Sequence, residues 1–257
     1  MLIDTHAHMN DKRLIDDADN IVSNMLNDNL SKIINVGYDR ESSNTAFELA
    51  KKYDNLYCAV GIHPHDAKLA TPSDYYLFES LYKDEKTVAI GEIGLDYYYD
   101  LSPREVQKRV FVEQLELAHS LQAPVVIHLR DAYQDMYDLL KENNSLLTYG
   151  ILVHCYSGSK EMMARYNEFN PYYSFGGAVT FKNATEKPNI IRSMDVNKLL
   201  LETDCPYMTP VPFRGTTNYP RYVNLVAERI AEILSVTKEE IEEITTSNAY
   251  AFFNKLK

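Results

Sequence analysis

Short apolar runs in this chain end, again and again, on a histidine or an isolated acid. Ile3 leads into Asp4, His6 and His8, Val60-Gly61-Ile62 into His63-Pro64-His65, and Ile90 into Glu92. Val125-Val126-Ile127 closes on His128, Leu152-Val153 on His154, and Leu199-Leu200-Leu201 runs through Glu202 and Thr203 to Asp204. Groups so distant in sequence meet only if parallel strands carry them to one rim. A rim of imidazoles and carboxylates is suited to binding divalent metal, which points to an enzyme.

The runs number eight: residues 2–4, 32–36, 56–62, 88–93, 125–129, 151–156, 172–177 and 199–203. Segments of helical period lie between them. One spans 102–121, with Val106, Val110, Leu117 and Leu121 on one side. Ser102 as cap, Pro103 in the first position and Glu105 completing a capping box mark its start. A second spans 222–234, with Tyr222, Leu225, Val226, Ile230, Ile233 and Leu234 as its stripe. A third opens on a Thr237–Glu240 capping box and carries Ile241, Ile244, Phe252 and Phe253. Strands alternating with helices make parallel βα units, and their economical closure is an α/β fold of the TIM type, a single-domain (β/α)8 barrel over residues 1–257. An open doubly wound sheet would leave edge strands with more polar patterns than these.

With 45% hydrophobic and 25% charged residues, the chain has enough apolar mass for one large core. A formal net charge of −11 argues against holding nucleic acid by bulk electrostatics. It leaves room for a phosphodiester met locally by metal ions and a few arginines. No charged start or long apolar stretch precedes Asp4, and no run is long enough to cross a bilayer, so the expectation is a cytoplasmic protein with no membrane association. No obligate protein partner is evident. The three cysteines form no metal-ligand pair. Strand alternation is expected to turn Cys155 and Cys205 away from the face carrying His154 and Asp204, as buried reduced thiols.

Asp4, His6 and His8 alternate, so an extended strand points all three one way. Two imidazoles at this spacing suit one metal, and Asp4 is placed to orient a ring. Glu92 stands inside an otherwise apolar run, where a carboxylate is costly unless paired or coordinated. A salt bridge to arginine is the plain alternative; a bridge between two cations accounts better for the position. One histidine at a strand end is usually a satisfied core residue. His128 and His154 on two successive strands after Glu92 favour coordination. Asp204, on the strand that closes beside the first, is read as a ligand, a general base toward water, or both. Glu202 lies deeper, in a supporting or structural role.

Six motifs occur in order: Ile3-Asp4-Thr5-His6-Ala7-His8, Val60-Gly61-Ile62-His63-Pro64-His65, Ala89-Ile90-Gly91-Glu92-Ile93-Gly94-Leu95-Asp96-Tyr97, Val126-Ile127-His128-Leu129-Arg130-Asp131-Ala132, Val153-His154-Cys155-Tyr156-Ser157-Gly158 and Leu201-Glu202-Thr203-Asp204-Cys205-Pro206-Tyr207. On these motifs the chain resembles, over essentially its whole length, the TatD family of metal-dependent deoxyribonucleases within the amidohydrolase-like barrels. The resemblance implies a site for two divalent metal ions, one held by His6, His8, Glu92 and Asp204, the other by Glu92, His128 and His154. It implies attack of an activated water on phosphorus, with Asp204 accepting its proton and Glu92 bridging ions about 4 Å apart. Members are described as Mg-dependent DNases, often 3′–5′ exonucleases on single strands, and some contain Zn. The imidazole-rich set here suits Zn, Mn or Ni better than Mg, so the metal's identity stays open among Mg, Zn and Mn.

For substrate contacts, Arg130 faces the same mouth as His128 and is a phosphate clamp or a partner of Asp131, Asp96 or another rim acid. His65 matches a family position near the site and suits a phosphate contact or proton donor; His63 is equally a structural residue. Tyr97, Tyr98 and Tyr99 stack on bases or serve as loop packing. Arg214 lies where the family is usually more basic; Thr216 and Thr217 follow it here, which weakens a phosphate grip at that point. His119 fits a helix-end or packing role better than chemistry. The leading expectation is a hydrolase of DNA, a 3′–5′ exonuclease preferring single strands. The alternative is an amide or acyl-ester hydrolase, for a small metabolite or an aminoacyl-tRNA, on the same barrel, since activated water attacks phosphorus and carbonyl carbon from similar ligand sets. Glu92 in the bridging position, with no competing strand-end lysine, speaks against the carbamylated-lysine form of that chemistry. A barrel that binds partners without turnover is the third reading, and the full ligand set argues against it.

Overall fold

The computed structural model describes residues 1–256. Among them, eight parallel strands follow one another in chain order: β1 (Leu2–Ala7), β2 (Leu30–Val36), β3 (Leu56–Val60), β4 (Thr87–Asp96), β5 (Val125–Arg130), β6 (Ile151–Val153), β7 (Tyr172–Phe175) and β8 (Leu199–Leu201). A parallel bridge from Ala7 to Cys205 brings the end of the sheet back to its start. Side chains complete this seam. Thr5 Oγ1 donates to Leu201 O at 2.9 Å, and Asp4 accepts Thr203 N at 2.9 Å and Thr203 Oγ1 at 2.5 Å. The fold is the single-domain (β/α)8 barrel that the eight apolar runs imply.

Asp4 therefore differs from expectation: it stitches β1 to the segment after β8 and orients no imidazole. The register of β1 against β2 slips between Asp4 and Ala7, so simple alternation fails across this strand. Burial pushes the Asp4 carboxyl up to about 8.

Helices α1 (Ala18–Asn24), α2 (Arg40–Lys52), α3 (Pro72–Tyr82), α4 (Arg104–Ser120), α5 (Tyr133–Glu142), α6 (Lys160–Tyr166), α7 (Lys187–Ser193) and α8 (Val223–Leu234) separate or follow the strands, and α9 (Lys238–Phe252) comes last. Strand alternation makes two apolar layers. Leu56, Cys58 and Val60 of β3 pack in the outer layer with the helices; Tyr57 and Ala59 join Ile34, Val88, Val126, Leu152 and Leu200 in the inner one. Phe252, Phe253 and Leu256 pack into the inner layer. Lys255 Nζ donates to Thr87 O at 3.2 Å and Asn248 Nδ2 to Leu199 O at 2.8 Å, which ties this plug to the first residues of β4 and β8. The N-terminal end of the barrel is thus sealed.

The Thr237–Glu240 capping box forms as expected. That of Ser102 does not. Ser102 Oγ donates to His65 O at 2.8 Å and accepts from Lys68 N at 3.1 Å, while Pro103 caps α4 without a side-chain bond. The buried face of α4 is also rotated from the apolar stripe. It carries Gln107 and Gln114 with Val110, Phe111, Leu115 and Ala118, leaving Val106, Leu117 and Leu121 half-buried. Both glutamines serve the backbone near the rim. Gln107 brackets Asp96, accepting from Asp96 N at 2.9 Å, and Gln114 does the same to Ile62 N at 2.8 Å. Among the described residues, no helix is long and apolar enough to cross a membrane.

Candidate metal centre

The register of β4 delivers Glu92. Pairing with β5 shifts between Ile90 and Ile93, a bulge that re-aims the intervening side chain. Gly94, opposite His128 and at φ +151°, lets the strands approach there, because a Cβ at this position would collide with the His128 carbonyl oxygen. Beyond β6 the ladder continues as His154 N donates to Ile127 O at 3.1 Å, which sets His154 beside His128.

Glu92 is 4% exposed and no arginine pairs with it among the described residues; imidazoles surround it instead. Oε1 lies 2.6 Å from His128 Nδ1, 2.6 Å from His154 Nε2 and 3.6 Å from His63 Nε2. Oε2 lies 3.4 Å from His6 Nε2 and 3.9 Å from His8 Nε2. Asp204 joins through His8, its Oδ1 3.4 Å from His8 Nε2. The structure thus gathers His6, His8, Glu92, His128, His154 and Asp204 at one place. His65 and Arg130 stand further out: His65 Nε2 bonds Asp96 Oδ2 at 3.1 Å, and Arg130 lies over the Tyr98 ring at 3.9 Å.

Two residues belong to this cluster that the sequence left open or unmarked. His63 shares a possible ligand group with Glu92 and His128. Asp96 is 1% exposed, and its Oδ2 also takes His128 Nε2 at 3.0 Å. The sequence marks it only as a rim acid near Arg130, because the two imidazoles it joins come from other elements, His65 from the turn after β3 and His128 from β5. Glu202 is fully buried, with Oε2 accepting Ser174 Oγ at 2.5 Å and lying 3.7 Å from His154 Nδ1. Cys155 departs from expectation: it sits half-buried past the end of β6 at φ +44°, where alternation no longer applies, and its thiol is raised well above its ordinary range, by burial and then by Glu202.

The donor chemistry fits divalent cations. His8 Nδ1 donates to Val36 O at 2.9 Å, so its Nε2 presents a lone pair to the carboxylates of Glu92 and Asp204. His128 in the same way gives Nε2–H to Asp96 and turns Nδ1 toward Glu92. Acceptor facing acceptor demands positive charge between them. His6 Nδ1 and Nε2, His154 Nδ1 and Glu202 Oε1 are buried without hydrogen-bond partners. Burial opposes charge on Glu92, yet His154, His63, His128 and His6 hold its carboxyl well below the usual range. Burial likewise depresses His154, but Glu92 and Glu202 raise it well above an ordinary imidazole. Protons alone would serve there in the place a cation fills. Possible ligand groups include His6–His8–Glu92, His63–Glu92–His128 and His6–His154–Glu202.

A closed parallel barrel bearing such a cluster at the C-terminal ends of its strands defines a metal-dependent hydrolase of the barrel type. Comparison with known proteins narrows the class. The family model described as TatD related DNase matches residues 3–254. The uncharacterized metal-dependent hydrolase YabD of Bacillus subtilis is 44% identical, over 98% of this chain and 99% of its own. The uncharacterized metal-dependent hydrolase YcfH of Escherichia coli K12 is 32% identical, over 98% and 96%. The crystal structure of YJJV, a TatD homolog from Escherichia coli K12, superposes with a TM-score of 0.92 at 29% identity and covers 98% of each chain. The chain belongs to the TatD family.

Proposed function

We propose that this TatD-family hydrolase cleaves phosphodiester bonds of DNA, removing nucleotides from the 3′ end of single strands. His6, His8, Glu92 and Asp204 would hold one divalent ion, and Glu92, His128 and His154 a second, with His63 a further imidazole at the same cluster. The single observation that carries phosphorus over carbonyl chemistry is Arg130. Among the described residues it has no ion-pair partner, and the oxygens of Asp96 are occupied by His65, His128, Tyr98 N and Tyr99 N. An uncompensated guanidinium beside the centre matches a phosphate bidentately. The family's description as DNase supports the same substrate.

Divalent ions, Mg, Mn or Zn, supply Lewis acidity, making water more acidic and offsetting charge on phosphoryl oxygens. The chain does the rest. Asp204, its Oδ1 3.4 Å from His8 Nε2, is the carboxylate placed to accept the proton of the attacking water. Asp96 fixes the ring planes of His128 and His65, and His65, 27% exposed, keeps Nδ1 for the substrate. Arg130 positions the phosphate.

The net charge of −11 favours a second reading, hydrolysis of an uncharged amide or acyl ester. The test is cleavage of a 5′-labelled single-stranded oligonucleotide by metal-stripped protein resupplied with Mg, Mn or Zn, with Glu92→Ala as control. A ladder shortening from the 3′ end, restored by metal and absent in the variant, is the expected result. An intact oligonucleotide in the presence of metal-loaded protein would transfer the proposal to the acyl or amide substrate.

A further inference from the structure

The three tyrosines after β4 have separate fates. Tyr97 turns back: its hydroxyl donates to Asp135 Oδ2 at 2.7 Å, Arg104 lies over its ring at 4.1 Å, and it packs against the outer core. Tyr98 and Tyr99 stay 57% and 54% exposed. Their rings meet edge to face with centroids 4.9 Å apart, and the Arg130 guanidinium lies 3.9 Å from the centroid of Tyr98 and 5.1 Å from that of Tyr99. Tyr99 also stands edge-on to His65 at 5.3 Å.

One carboxylate fixes this platform to the centre. Asp96 Oδ1 accepts Tyr98 N at 3.0 Å and Tyr99 N at 2.8 Å, while Oδ2 holds His65 and His128. The loop that presents the rings is therefore tied to the same side chain that sets the His128 imidazole. The loop after β8 also sets arginines on aromatic rings, Arg214 on Phe181 and Arg221 on Tyr222, but among the described residues no hydrogen bond ties them to Asp96. Tyr207 is 49% exposed there, but the arginine on its ring, Arg13, is neutralised by Asp11 through two bonds of 2.8 Å. Exposed aromatic faces beside an uncompensated cation match one ligand chemistry, a flat base carrying a phosphate.

We propose that Tyr98, Tyr99 and Arg130 form a nucleotide subsite, the Tyr98 ring stacking on the base, Tyr99 meeting it edge-on, and the guanidinium holding its phosphate. It rests on the phosphodiesterase reading and makes nucleotides, rather than phosphodiesters at large, the preferred substrate. Stacking also explains how an acidic protein would hold DNA, since bases carry no charge to repel.

The chain has no tryptophan, so Tyr98→Trp introduces a single fluorescent reporter on the platform. The metal-loaded variant is titrated with dAMP and with 2-deoxyribose 5-phosphate, which differ only in the base and contain no diester to hydrolyse. Quenching by dAMP at concentrations about tenfold or more below any response to the sugar phosphate is expected. In unlabelled protein, Tyr98→Ala should raise KM for an oligonucleotide about tenfold, with a smaller change in kcat, and Tyr98→Phe should restore it. Equal responses to both ligands, with an unchanged KM in Tyr98→Ala and DNA still cleaved, would overturn the subsite and leave the DNase reading standing. Base-dependent quenching in a protein that cleaves no DNA would do the reverse, retaining a nucleotide site and removing the DNase.

Discussion

The two ends of this barrel treat polar groups in opposite ways. At the N-terminal end Lys86, Asn248 and Lys255 all find partners, with His119 Nδ1 at the end of α4 the buried exception. Lys86 Nζ donates to Tyr53 O, Asp54 O and Leu56 O at 2.8–3.0 Å, Asn248 Nδ2 donates to Val196 O and Leu199 O, and Phe252, Phe253 and Leu256 fill the space between. At the C-terminal end, His6, His154 and Glu202 leave buried atoms without partners, and lone pairs of His8 and His128 face carboxylates. A folded chain rarely tolerates such groups, each costing about 1–3 kcal/mol, unless something absent from the polypeptide satisfies them. One end is built for stability and the other for a ligand, which is the division of labour the barrel architecture allows.

Substitutions at the upper end should strike function hardest. Glu92→Ala removes the carboxylate that touches both sides of the cluster; it should abolish retention of either ion and all turnover, whereas His154→Ala should lose mainly one. Elemental analysis of the two purified variants decides this, and equal metal content in both would break the bridging role. Asp204→Asn keeps an oxygen toward His8 and removes the base. We expect it to retain most of its metal while kcat falls about 10²–10⁴-fold, the usual range for general-base catalysis. A fully active Asp204→Asn would take proton transfer away from this residue.

The lower end predicts the complementary behaviour. Phe253 is fully buried in the inner layer, and Phe253→Ala should cost about 3–5 kcal/mol and lower Tm by roughly 10 °C. Metal content and kcat per folded molecule should stay as they were. Calorimetry alongside elemental analysis measures both, and a loss of metal without a fall in Tm would show that the two ends are not separate.

How legible each end is in the sequence follows from the range of its interactions. The strands and the Glu92, His128 and His154 positions are local patterns, an apolar run and the polar residue that ends it. The features that sequence does not reveal depend on partners from other elements. Ser102 has the signature of a helix cap, yet the carbonyl of His65 claims its hydroxyl. Gln107 and Gln114 count as polar in any periodicity, so the expected buried face of α4 is displaced toward apolar residues; their amides are buried because they pair with Asp96 and Ile62. Asp4 departs from its expected role because of the β1 register slip, which no alternation rule contains. His63 gains its place only when the barrel closes and puts it 3.6 Å from Glu92.

Lys255 offers the gentlest probe of the comparison. Its ammonium donates to the carbonyls of Tyr82, Asp84 and Thr87 and lies over the Tyr82 ring, so one side chain closes three acceptors near the start of β4. Burial pulls its pKa below the ordinary lysine range, against the opposing pull of Asp84. Lys255→Met preserves length and apolar volume and removes the charged donor together with its contact over the Tyr82 ring. The three carbonyls then depend on water, and the loss should be about 1–3 kcal/mol, read as a lower denaturation midpoint at unchanged m-value. Hydrolytic turnover and metal content should not move, because Lys255 bonds only to the lower end of the barrel, opposite the imidazole cluster. A midpoint equal to that of the parent protein would mean that water satisfies these carbonyls as well as the ammonium does, and the polar half of the lower seal would then contribute nothing beyond its apolar plug.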